Sequence, residues 1–92
     1  MKVYHRTFKS QAILREGFRG HLGVWVSDGP LDANSGAEGD ALLVLEIPEE
    51  IFAEYEWAEE GKGYRESLVP VEVLNSFSPP KIADEAGGEA SA

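Results

Sequence analysis

Three residues of this 92-residue chain carry polar or aromatic groups where strand alternation predicts burial or a cleft. His5 ends the run KVYH (2–5), Trp25 lies within GVWVS (23–27), and Glu66 lies within YRESLV (64–69). Side chains alternate between the two faces of a strand, so Tyr64, Glu66 and Leu68 share one face. A carboxylate between an aromatic and a leucine is out of keeping with a plain core face. A preorganised carboxylate stabilises positive charge that develops in a transition state, and an indole face holds a flat cationic ring. Taken singly, each residue also has a plainer reading: a hydrogen-bonded structural histidine, a core tryptophan, an edge-strand carboxylate.

The elements that must position these residues follow from local pattern. Residues 2–5 read as a short strand. SQAILREG follows with helix punctuation, Ser10 as N-cap and Gly17 at the left-handed position after the last turn. GVWVS is a second strand, with Val24 and Val26 opposite Trp25 and Ser27. Residues 28–40 form a polar loop, with one helical turn at 30–34 where Pro30 suits a first helical position. ALLVLEI (41–47) is nearly all apolar and reads as a central strand buried on both faces. Pro48 and two glutamates start a helix that runs into a short strand near 55–57. EEGKG is a turn, 64–69 a strand, and PVEVLN a helical turn or an irregular segment. Four to five strands with small edge helices predict an α+β domain spanning residues 1–80. Residues 81–92, rich in glycine, alanine and acid, are expected to be a flexible acidic tail.

Composition narrows the function classes. Without cysteine there is neither a disulfide framework nor a thiolate metal site. Asp28, Asp32, Glu38 and Asp40 match no calcium-loop spacing, so no metal site is expected. No apolar run approaches the ~20 residues of a membrane helix, and no leader pattern argues for secretion, so a cytoplasmic protein is the expectation. The net charge of −9 disfavours non-specific nucleic-acid binding. It is unevenly spread: residues 1–22 hold five basic residues and one acid, whereas residues 23–92 hold three basic and sixteen acidic ones. The basic N-terminal segment suits a phosphate-bearing ligand.

Three segments together resemble the ADP-ribosyltransferase-like fold, in its histidine–tyrosine–glutamate branch, which includes the poly(ADP-ribose) polymerases; RNA 2′-phosphotransferases are more distantly similar. YHRT looks like the first-strand histidine motif, and GVWVSDGPLDAN like the second motif, a glycine–apolar–aromatic strand entering a loop. YRESLVPVEVLN, with Tyr-x-Glu spacing and an asparagine nine residues past the glutamate, is similar to the strand carrying the catalytic glutamate. The motifs occur in family order and span roughly residues 3–75. The resemblance implies a small split β-sheet domain with short peripheral helices that uses NAD as co-substrate. Glu66 would be catalytic, on the nicotinamide ribose. His5 would bond the adenosine ribose, Trp25 would stack on nicotinamide in place of the usual tyrosine, and Ser27 would lie on the cleft floor. Arg6 or Arg19 would meet the pyrophosphate. Arg6 departs from the small residue usual after the histidine. An unidentified protein or nucleic acid would accept ADP-ribose. The competing expectation is a non-catalytic module that keeps the fold and binds a nucleotide or a protein. Net charge argues against the RNA 2′-phosphotransferase version.

Overall fold

Alternation of apolar side chains, repeated on neighbouring strands, sets the architecture. In the computed structural model, which describes residues 1–20, 22–31, 37–77, 79–84 and 88, nine elements follow one another. They are β1 (Lys2–Thr7), α1 (Ser10–Glu16), β2 (Val24–Ser27), β3 (Ala41–Glu46), α2 (Glu49–Glu54), β4 (Glu56–Trp57), β5 (Glu66–Val69), α3 (Val71–Leu74) and β6 (Lys81–Ala83). The strands form one sheet in the order β4-β5-β2-β1-β3-β6, and every neighbouring pair is antiparallel. The protein is therefore a small α+β domain. Among the described residues no helix is long and apolar enough to cross a membrane.

Residues opposite one another in a register share a face. Val3 faces Leu45, and Val24 faces Val69. With Val26, Leu43, Phe18, Ile47, Phe52 and Leu74 they form the main buried cluster. The helices supply its cover. Phe52 of α2 and Leu74 of α3 are fully buried, and Ile13 of α1 packs against the same cluster. The opposite face carries a smaller cluster of Tyr4, Leu42, Val44 and Ala83, and the described residues leave part of that face open.

Several expected details are corrected. The apolar 41–46 strand, expected at the centre, is next to the edge, between β1 and β6. It is buried on both faces all the same, because β1 and β6 flank it and Leu43 and Leu45 point to one cluster while Leu42 and Val44 point to the other. The expected domain end at residue 80 falls inside the sheet, since Lys81–Ala83 pair with β3 and Ala83 is buried. A strand of three residues after two prolines is too short for its period to register. Apart from Asp84 and Gly88, the rest of the expected tail lies outside the described residues, as does most of the helical turn expected at 30–34. The N-cap of α1 is Lys9 rather than Ser10, with no side-chain cap bond; Thr7 Oγ1 instead accepts the Lys9 N–H. Tyr64 precedes β5 rather than belonging to it.

Asn75, placed by motif spacing, has a structural task. Its side-chain oxygen accepts the Phe18 N–H at 2.9 Å, and its amide nitrogen donates to the Phe18 carbonyl at 2.8 Å. This two-point clamp joins the segment after α3 to the chain leaving α1. Gly17 allows the close approach, since it has φ +87° and a Cβ there would lie 3.1 Å from Asn75 Oδ1. Asn75→Asp keeps the acceptor, loses the donor and sets a carboxylate against a carbonyl. The expected cost is about 1–3 kcal/mol, and for a domain of this size each 1 kcal/mol lowers the melting temperature by roughly 4–8 °C. A thermal melt showing no loss would contradict the clamp.

Candidate functional site

The open face acquires its side chains from the registers of β2, β5 and β4. Ser27 lies opposite Glu66, Trp25 opposite Leu68, and Glu66 opposite Trp57. Trp25, Ser27, Glu66 and Trp57 thus point to the side away from the helices. Trp25 is 44% exposed, which rules out the core reading. Its ring meets Trp57 edge-on at 5.8 Å.

His5 reaches the same place by another route. By parity it belongs with Val3 on the helix-covered face. Among the described residues, however, the β1–β2 register is the single pair Tyr4 opposite Ser27. Beyond that pair the imidazole takes the place of a backbone partner: its Nδ1 lies 2.8 Å from the Trp25 carbonyl oxygen. A carbonyl only accepts, so Nδ1 donates and the neutral ring keeps Nε2 as its acceptor. Phe18 supports the ring edge-on at 5.7 Å.

Five of the six expected site residues (His5, Arg6, Trp25, Ser27 and Glu66) line one cleft of about 570 Å³, within the ~300–1,000 Å³ range of small-molecule sites. The sixth, Arg19, lines a second hollow of about 450 Å³ together with Lys9. His5 and Trp25 belong to the walls of both hollows.

The roles within the cleft differ from residue to residue. Ser27 is buried and its hydroxyl donates to the Gly29 carbonyl at 2.7 Å, so it holds the turn that leaves β2. Arg6 donates from Nε to the Leu31 carbonyl at 2.6 Å. Part of its guanidinium, expected to serve a ligand phosphate, therefore ties the 28–31 loop to β1. Arg19 lies 3.4 Å from Glu16 on the surface.

Glu66 is paired with Lys62, a residue that sequence reasoning did not single out. Lys62 also approaches Glu59 at 3.4 Å and lies 5.2 Å from the centre of the Tyr64 ring. The hydrogen bond to Glu66 is the main cause that raises the Lys62 pKa, so the ammonium stays charged. The only signal for Lys62 in the sequence is its place between two glycines, four residues before Glu66.

Arg65 points the other way, as alternation requires. It bonds Glu56 through two nitrogens at 3.0 and 2.7 Å, bonds Glu49 at 3.0 Å, and lies over the Phe52 ring at 4.9 Å. Those bonds, the one to Glu56 first, raise its pKa and lower that of Glu56. Its backbone N–H donates to the Asp28 carboxylate at 2.9 Å, and its carbonyl accepts the Asp28 N–H at 3.0 Å. Glu66 is thus set on a strand anchored from both sides. Among the described residues no group of three or more His, Cys, Asp or Glu converges as metal ligands would.

Burial lowers the His5 pKa below the ordinary 6.5, opposed by its bond to the Trp25 carbonyl. The folded protein therefore takes up this proton less readily than the unfolded chain. The stability contributed by the neutral ring is complete above pH 6.5 and is lost as pH falls through the lowered folded value. Melting temperature should drop as pH falls below about 6.5, and His5→Gln should flatten that drop. Superimposable pH profiles for the two proteins would contradict the buried neutral histidine.

Comparison with protein-family models, with characterised proteins and with solved structures gives no match.

Proposed function

We propose that this protein binds NAD in the manner of the ADP-ribosyltransferase-like fold and transfers ADP-ribose from it to a macromolecule. The observation that carries the reading is the meeting of His5, Trp25 and Glu66 on one cleft, with a second hollow beyond His5 and Trp25 that ends toward Arg19 and Lys9. Two hollows sharing a wall suit a ligand with two flat ends joined by an anionic link.

In this reading the cationic nicotinamide ring lies against the Trp25 indole. Glu66 faces the nicotinamide ribose. As the bond between the ribose C1′ and the ring nitrogen breaks, its electron pair leaves with nicotinamide, which becomes neutral. Positive charge grows on the ribose, and the Glu66 carboxylate stabilises it. A nucleophile of the acceptor then gives an electron pair to C1′ and loses its proton. His5, with Nδ1 held by the Trp25 carbonyl, accepts a hydroxyl of the adenosine ribose at Nε2. Arg19 and Lys9 face the pyrophosphate as cations. Arg6 shapes the wall through the 28–31 loop.

One observation favours a second reading. The Glu66–Lys62 pair neutralises the carboxylate, as a module that binds a nucleotide without cleaving it would tolerate. Nicotinamide release separates the two. In the enzyme, Glu66→Gln lowers release by ~10²-fold or more, the scale of losing one electrostatic stabiliser. The melting temperature should change little, because the pair is partly solvated and Lys62 retains Glu59. A thermal shift with NAD and no release by the wild type would favour the module. Clear destabilisation with undiminished release would remove Glu66 from the chemistry.

A further inference from the structure

We infer that the sheet edge carrying Trp57, beside Trp25, is a docking surface for a basic, extended polypeptide and brings that acceptor to Glu66. As an assignment of the acceptor the inference rests on the NAD reading above; the docking itself is measured without NAD.

Trp57 lies outside the walls of the cleft, on the short strand β4 at one end of the sheet. Its indole is 56% exposed and meets the exposed Trp25 ring edge-on at 5.8 Å. Two large aromatic side chains together on solvent form a patch of the kind that marks an interaction site. In register, Trp57 stands opposite Glu66, and both point to the open face. A group resting on Trp57 is therefore one strand spacing, ~4.8 Å, from the strand that bears the carboxylate. Among the described residues no strand pairs with the outer side of β4. That side can take an added strand, whose long side chains reach back across Trp57 toward the cleft.

Exposed indoles suit two kinds of partner. They stack on nucleobases, and they hold ammonium or guanidinium groups over the ring. The neighbouring charges decide between them. Residues 54–60 carry Glu54, Glu56, Glu59 and Glu60 and no basic residue. Arg65 engages Glu56 and Lys62 engages Glu59, whereas Glu54 and Glu60 are exposed. Platforms for nucleic acid combine their aromatic rings with a positively charged groove. This edge has the opposite sign, so it opposes phosphates. Lysine and arginine side chains of a polypeptide find both an aromatic face and carboxylates here.

The probe is a dye-labelled peptide of alternating arginine and threonine, titrated with the full chain and followed by fluorescence polarisation. The same peptide with citrulline for arginine and a single-stranded DNA of equal length serve as comparisons. The arginine peptide should bind, less tightly as salt rises, and the other two about tenfold or more weakly than it does. Trp57→Ala should weaken binding by about fivefold or more, and Trp57→Phe by less. Glu60→Lys should weaken it several-fold, and this arm does not depend on how well Trp57→Ala folds. Equal binding of the citrulline peptide or the DNA, or unchanged affinity in both Trp57→Ala and Glu60→Lys, would overturn the inference. So would a wild type that sediments as a dimer dissociated by Trp57→Ala, since a second copy would then fill the edge. A protein whose melting temperature responds to NAD but that binds no peptide loses the docking surface and keeps the NAD reading. Peptide binding without any response to NAD removes that reading, and the acceptor role with it, and leaves the docking surface standing.

Discussion

One imidazole stands where the two central strands stop sharing a register. The bond from His5 Nδ1 to the Trp25 carbonyl keeps a backbone acceptor satisfied where a ladder partner would otherwise serve it. Without such a substitute, the seam between β1 and β2 would have to close into ordinary pairing or admit water. With it, the strands diverge at low cost and two hollows open on either side of a wall made by His5 and Trp25. The cleft is thus a consequence of backbone accounting before it is a feature of any ligand. Burial lowers the His5 pKa and so favours the neutral ring, which leaves Nε2 as an acceptor.

A second constraint is the alternation of β5. Arg65 and Glu66 are neighbours in sequence and opposites in space. On the helix side, Arg65 joins Glu49, Glu56 and Phe52, tying α2 and β4 to β5. On the open side, Glu66 meets a single lysine from a glycine-flanked loop. The strand therefore has a network of Arg65 behind it and the Glu66–Lys62 ion pair in front. Individually such partly solvated pairs contribute little to stability. Their value here is geometric: the carboxylate stands on a rigid element while its counter-ion stands on a pliable one.

Period-two alternation made much of this legible in the sequence. Trp25, Ser27 and Glu66 were placed on one face by counting along their own strands, and the registers set those strands side by side. The valines at 24 and 26, the helix after Pro48 and the turn at EEGKG were likewise local signals. What escaped was non-local. Parity assigns His5 to the side of Val3 and Phe18, but its access to the cleft depends on a seam between strands some twenty residues apart, which no local pattern shows. Lys62 was invisible as a partner for Glu66 because i,i+4 proximity is guaranteed in a helix but not in a loop. Nothing local reveals that Arg6 reaches the Leu31 carbonyl through Nε. The final strand at 81–83 reads as tail because three residues, Lys-Ile-Ala, stand within a segment rich in proline, glycine, alanine and acid, and its pairing with β3 is specified by the strand it joins. The rank of β3 in the sheet also depends on that late addition.

The most direct test of the NAD reading is where the nucleotide sits. In a titration of ¹⁵N-labelled protein with NAD followed by NMR, shifts should appear at His5, Trp25 and Glu66 and extend to Gly17–Arg19, so that both sides of the shared wall respond in a single saturable event. Shifts confined to residues remote from this wall, or none at concentrations that saturate ordinary nucleotide sites, would contradict a nucleotide lying across the two hollows.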